Sequence, residues 1–318
     1  MAARPEIGYA LSSEECRPED LVRSARMAEE RGFAFALISD HFHPWTDRQG
    51  QSPFVWTVIG AIAQATERLR LGTGVTCPLI RTHPAVIAHA AATATALMPG
   101  RFFLGLGTGE NLNEHVLGDR WPEGQVRFEM LTEAIEVIRL LWRGGYQSHH
   151  GTYYTVEQAR LYTLPEEPPP IMVAAGKPNA ARLAATAGDG LIGTTPDEEI
   201  LSAFEAAGGA DKPRIGQLTV CWAEDEATAR KTALDWWPNA AAPGELGQEL
   251  ALPRHFEQVA ELISEDDVAA KVVCSPDADA HRAAIQEFAD AGYDHVYIHQ
   301  VGPDQEGFLD FYSREILA

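Results

Sequence analysis

A chain of 318 residues with 45% hydrophobic content is long enough to enclose a substantial core. Its 46 Asp and Glu against 25 Lys and Arg give a formal net charge of −21, which disfavours nucleic acid and anionic membranes as partners, since both are bound through cationic patches. The cysteines, Cys16, Cys77, Cys221 and Cys274, are scattered without a C-x-x-C pair, so no disulfide framework or metal site is implied and a reducing compartment fits.

The N-terminal stretch MAARPEIGYALSS lacks the apolar centre of a signal peptide, and no apolar run is long enough to span a membrane. The expectation is a soluble cytoplasmic protein. In chain order, short apolar strands alternate with amphipathic helices. A strand at 6–11 precedes a helix at 18–32, and a strand at 35–39 precedes a helix at 53–67. Strands at 69–76 and 101–109 are followed by helices at 83–98 and 125–144. Strands at 170–176 and 190–195 lead into helices at 178–188 and 197–208. The last two units pair a strand at 214–222 with a helix at 225–237, and a strand at 294–300 with a helix at 306–317.

Strands separated by helices pair in parallel, and eight such units close most naturally into a (β/α)8 TIM barrel. The competing architecture, a doubly wound dinucleotide fold, wants G-x-G-x-x-G; here GLGTGE places Glu110 where the third glycine belongs. Residues 1–318 are expected to form one domain with insertions near 110–124, 145–164 and 238–281, the middle one a β-hairpin.

Barrel enzymes carry their chemistry at the C-terminal ends of the strands. The second strand ends in ISDHFHPW, where Asp40, His41 and Trp45 crowd together. Taken singly, Ser39 and Asp40 are ordinary turn formers; at this position His41 is also a candidate proton carrier near neutral pH. The fourth strand ends in GLGTGENLNE, whose alternating glycines would leave one face bare for a planar ring, with Glu110 and Asn113 following. The fifth ends in VAAGKPNAARLA, which leads into a helix N-terminus able to bind phosphate beside Lys177. TTPDEE after the sixth strand reads as a helix N-cap. In the last strand, alternation places His295, Tyr297 and His299 on one side; whether that side faces the barrel is not legible.

Together, ISDHFHPW, LGTGVTCPLIRTHPAVIAHAAAT, GRFFLGLGTGENLNE and MVAAGKPNAARLAATAGDG resemble the luciferase-like superfamily. More narrowly they resemble its deazaflavin branch, typified by coenzyme-F420-dependent glucose-6-phosphate dehydrogenases, over most of the chain. The resemblance implies a (β/α)8 barrel with an insertion that usually forms homodimers and binds coenzyme F420; no metal is expected, since the cysteines lack metal spacing and no carboxylate cluster accompanies the histidines. It implies that Asp40 contacts the ring system, and that Gly74–Val75 is a non-proline cis peptide behind it. Thr108, Gly109, Glu110 and Asn113 would line the ring and its side chain, while Ala174, Ala175, Gly176 and Lys177 would offer amides to the cofactor phosphate. His41 would take the hydroxyl proton of a small-molecule alcohol, Glu110 would sit near N1 of the ring, Trp45 would form an aromatic wall and Glu14 a polar floor.

Two positions depart from the pattern. Where the glucose-6-phosphate enzymes hold the sugar phosphate with lysines, this chain has Asp197 and, in DDVAAKVVC, Ala270 followed by Lys271. An acidic residue in place of a cation repels a phosphate dianion, so glucose 6-phosphate is not the expected substrate. The competing functions are an FMN-dependent monooxygenase of the same superfamily and a non-catalytic deazaflavin-binding protein.

Overall fold

The computed structural model describes residues 4–318. The chain begins with β1 (Glu6–Leu11), α1 (Pro18–Glu30), β2 (Phe35–Ile38), α2 (Val55–Ala65), β3 (Arg70–Thr73), α3 (Pro84–Leu97) and β4 (Phe102–Leu106). It continues through α4 (Asn111–Glu114), α5 (Gly124–Trp142), β5 (Gln147–His150), β6 (Thr155–Ala159), β7 (Ile171–Ala174), α6 (Pro178–Thr186), β8 (Gly190–Gly193) and α7 (Glu198–Phe204). Next come β9 (Arg214–Cys221), α8 (Glu226–Trp236), α9 (Leu246–Glu249), α10 (Pro253–Ala260), α11 (Glu265–Ala269) and β10 (Val273–Cys274). The last elements are α12 (Ala278–Ala291), β11 (His295–Gln300) and α13 (Gln305–Glu315).

The helices start where local chemistry directs. Proline occupies the first turn of α1, α3 and α6, where its missing N–H costs nothing. Asp197, Asp225, Asp277 and Asp304 cap α7, α8, α12 and α13 through backbone amides. Ser264 and Asp267 form a reciprocal capping box on α11.

The eight expected strands pair in parallel in the order β9-β11-β1-β2-β3-β4-β7-β8, and β8 pairs back to β9. The sheet is therefore closed, a (β/α)8 TIM barrel; β10 only extends β9 at its outer end. Inside the barrel pack Phe35, Leu37, Phe103, Met172, Ile192, Ile215 and Tyr297. Burying side chains of this kind stabilises by roughly 1.5–3 kcal/mol each. The larger core lies outside the sheet, where the helices bury Leu21, Ile62, Ile87, Ile138 and Phe308 against the strands' outer faces.

Strand ends differ from the sequence expectation at the top of the barrel. The β3 ladder stops at Thr73, just before a cis Gly74–Val75 peptide, and resumes only as a single bridge between Thr76 and Leu106. The 145–164 segment is the expected antiparallel hairpin, β5–β6. The 110–124 segment is more ordered than a polar loop, holding α4 and a short 3-10 turn at His115–Leu117. Residues 238–281 contain a 3-10 turn at Pro238–Ala241, then α9, α10, α11 and β10.

Candidate active site

The C-terminal ends of the strands surround a cavity of about 870 Å³. Its wall includes every candidate residue from the sequence except Asp40 and Asn113.

His41 and Glu14 face each other on one side. His41 leaves the end of β2 and Glu14 the end of β1, and these strands are neighbours. The Glu14 Oε1 atom lies 3.3 Å from His41 Nε2, both side chains being under 10% exposed. Ser39 Oγ donates to Glu14 Oε2 at 2.5 Å and Ser12 Oγ at 3.2 Å. Burial pushes the Glu14 carboxyl up, but the adjacent His41 and the Ser39 hydroxyl outweigh it, holding Glu14 below the usual carboxylate range. The other ring nitrogen of His41, Nδ1, is 3.2 Å from the His43 carbonyl, which suits an N–H there and leaves the lone pair of the neutral ring on Nε2. Trp45 stands against His41, with ring centroids 5.1 Å apart, and is backed by Phe256 at the same distance.

Asp40 is turned away from the cavity, against the expectation that it contacts a ring. Its carboxylate accepts from Thr76 Oγ1 at 2.8 Å and pairs with Arg81 Nη2 at 2.9 Å. Arg81 also pairs with buried Glu114 at 3.4 Å. A buried carboxylate needs such partners, and these tie the β2, β3 and β4 ends together. Asn113 is likewise structural in position. Its Oδ1 accepts from the amides of Phe42 at 2.9 Å and His43 at 3.2 Å, and its Nδ2 reaches Glu110 Oε2 at 3.3 Å. It thereby fixes the His41 loop against Glu110, which does line the cavity.

The alternating glycines of β4 do not leave a bare face. A Cβ on Gly105 would lie 1.9 Å from the Thr73 carbonyl, on Gly107 2.6 Å from Val75, and on Gly109 2.5 Å from Cys77 Sγ. Their absent side chains admit the end of β3, so that the cis Gly74–Val75 peptide, Gly107, Thr108 and Gly109 together form one wall. Gly109 is at φ +70°, a region that disfavours any other residue.

Beside this wall, at the end of the neighbouring strand β7, Ala174, Ala175, Gly176 and Lys177 lead into the nine-residue helix α6. The Ala175 amide is already committed to the Ile192 carbonyl at 2.8 Å, which corrects the expectation that all four amides are free. Gly176 and Lys177 donate no backbone bond to other described residues, and they sit at the positive end of the helix. Lys177 Nζ pairs with Glu245 at 2.9 Å, and buried Arg127 pairs with Glu249 at 2.9 Å.

The sequence passed over several lining residues: Gln217 from β9, Trp237 and Asn239 after α8, and Arg127 from α5. Tyr297 and His299 also line the cavity, which settles the side of β11 that faces inward. Tyr297 donates to Gln217 at 2.6 Å. His295 lies at the opposite end of β11, paired with Glu6 and Asp294. Asp197 caps α7, accepting from Glu199 and Ile200 amides, and does not line the cavity; nor do Ala270 and Lys271. Among the described residues no three His, Cys, Asp or Glu are grouped to hold a metal, and no helix is long and apolar enough to cross a membrane.

Residues 1–295 match the family model described as luciferase-like monooxygenase. The chain belongs to this luciferase-like family. It is 36% identical to the F420-dependent glucose-6-phosphate dehydrogenase of Beutenbergia cavernae, over 98% of this chain and 96% of the relative. The enzyme of the same name from Microbacterium testaceum is 37% identical, again over 98% and 96%. Among solved structures, an F420-dependent secondary alcohol dehydrogenase in complex with an F420–acetone adduct superposes with TM-score 0.92 at 29% identity, covering 99% of this chain and 98% of that one. The monooxygenase RslO1 from Streptomyces bottropensis superposes with TM-score 0.74 at 22% identity, covering 98% of each chain, a likeness of fold.

Proposed function

We propose that this protein is a coenzyme-F420-dependent oxidoreductase acting on an alcohol, sugar or carbonyl substrate other than glucose 6-phosphate. The observation that carries the reading is the buried His41–Glu14 pair on the wall of a cavity that also holds Glu110, the cis-peptide wall and the α6 N-terminus. The cofactor is supported by relatives named as F420-dependent over nearly the whole chain. The residues present fit such a group: a flat wall maintained by glycines, and unpaired amides at a helix N-terminus for an anionic side chain.

When bound, the deazaflavin supplies hydride acceptance and donation at C5. Val75, Gly107 and Thr108 would support one face of the ring, and the amides of Gly176 and Lys177 would hold its phosphate. His41 Nε2 takes the hydroxyl proton as the alcohol is oxidised and returns it in the reverse direction. Glu14, held by Ser39, stabilises the imidazolium so formed through its charge, while the His43 carbonyl orients the ring at Nδ1. Glu110 places a carboxylate at the cavity wall, oriented by Asn113. Trp45 covers His41 and limits water around it.

Rejection of a sugar phosphate follows from charge. Asp197 lies off the cavity, so the repulsion expected from it does not act there; instead, buried Arg127 is engaged by Glu249, Lys177 is solvent-exposed beside Glu245, and Lys271 does not line the cavity. The test is a fluorescence titration with oxidised F420, with flavin mononucleotide in parallel, followed by turnover of an alcohol panel that includes glucose 6-phosphate. Preferential binding of F420 and turnover of uncharged alcohols are expected. A preference for flavin mononucleotide would overturn the cofactor assignment, and saturable turnover of glucose 6-phosphate at low millimolar concentration would overturn the exclusion.

A further inference from the structure

A second histidine–carboxylate pair borders the same cavity. Glu14 and Glu15 are adjacent in sequence, but their side chains diverge to the two strands that flank β1. Glu14 meets His41 from β2; Glu15 meets His299 from β11, with Glu15 Oε2 3.3 Å from His299 Nε2. Glu15 is itself held by the Gly302 amide, which donates to Oε1 at 3.0 Å. His299 is 3% exposed, and its Nδ1 has no hydrogen-bond partner. With Nε2 committed to a carboxylate, Nδ1 is a lone-pair acceptor in the neutral ring and a donor in the charged one. In either state it is a hydrogen-bonding atom left unused, and buried atoms of that kind are rare unless a ligand uses them.

An aromatic ring packs against the imidazole. Trp237 stands across His299 at 4.4 Å between centroids and 71° between planes. It is only half-buried, and it lies at the junction between α8 and the turn at Pro238–Ala241. Trp237 and Asn239 line the same cavity as His299, so this ring belongs to the substrate side. The same cavity is lined by uncharged polar Thr194, Gln217, Asn239 and Tyr297; its charged lining residues besides the histidine pairs are Glu110, Arg127, Lys177, Glu245 and Glu249.

We propose that His299, braced by Glu15, reads a second hydroxyl or carbonyl on the substrate, one that displaces the Trp237 edge to reach Nδ1. The substrate class is then an uncharged polyol, sugar or cyclitol rather than a simple alcohol or a phosphorylated sugar. His41 serves the reacting carbinol and His299 its neighbour. This inference rests on the oxidoreductase reading for the role of His41, but not for the presence of the His299 subsite.

The experiment compares cis vicinal cyclohexanediol with cyclohexanol, which differ by one hydroxyl. Binding of each is measured by calorimetry on the full chain, with and without F420, and kcat/KM is measured where turnover occurs. The diol is expected to bind at least about tenfold more tightly than the mono-ol, because a site built around a hydroxyl penalises the analogue lacking it. His299→Phe, which keeps a ring against Trp237, and Glu15→Gln, which keeps the imidazole but loosens its brace, should both bring the ratio towards one. An equal response of the wild-type protein to both compounds, nil included, refutes the proposal, as does an unchanged ratio in both variants. Failure of F420 to bind would instead overturn the cofactor reading, while the diol comparison on the protein alone would still decide the subsite.

Discussion

Glu14→Gln tests the role given to the buried pair. The substitution preserves shape but removes the charge facing His41 Nε2 at 3.3 Å. A carboxylate this close to an imidazolium favours the charged ring by about 1.5–3 kcal/mol through its opposite charge. If that energy stabilises the imidazolium formed during alcohol oxidation, its loss slows kcat by about tenfold to a hundredfold, at 1.4 kcal/mol per decade. F420 affinity, which depends on other walls of the cavity, should change much less. The assay is the loss of deazaflavin absorbance under saturating alcohol, with affinity from fluorescence. A second readout is stability against pH. The Glu14 carboxyl is held below its ordinary range, so its contribution is full above the unfolded value near 4.5 and is lost as pH falls through the lower folded value. The wild-type protein should therefore lose stability over that acid window by a step that Glu14→Gln lacks. An undiminished kcat in a folded Glu14→Gln protein would refute the assignment of Glu14 as the partner of the proton carrier.

Four other outcomes follow from the packing. Gly105→Ala would drive a Cβ to 1.9 Å from the Thr73 carbonyl and should destabilise by about 3 kcal/mol or more in denaturant melts. Gly60→Ala in α2, which meets nothing within 4 Å, should be neutral or stabilising by up to about 1 kcal/mol. Arg81→Met strands the carboxylates of Asp40 and Glu114 and should cost about 3–5 kcal/mol at neutral pH. Part of that loss should return as pH falls, because the stranded carboxyls then bind protons more readily folded than unfolded. Gly107→Ala, whose Cβ would come 2.6 Å from Val75, should weaken F420 binding more than it lowers stability, as read by titration and melting together.

Much of this protein was legible in its sequence because the governing signals are local. Apolar strands alternating with capped helices specify the eight units, and a helix between consecutive strands forces parallel pairing. The crowding of His41 and Trp45 at the end of β2 is a matter of sequence neighbours, as is the α6 N-terminus after β7. Closure of the sheet decided the rest, because it sets which side of each strand end looks inward. It brought β1 between β2 and β11, and so gave Glu14 to His41 and Glu15 to His299, although 284 residues separate the second pair. It turned Asp40 towards Arg81 instead of the cavity, since the buried guanidinium needed the carboxylates around it. It also gave the β4 glycines their purpose. Their spacing can be read from the sequence, but only the register of β3 against β4 shows that Thr73, Val75 and Cys77 fill the space where side chains would have been.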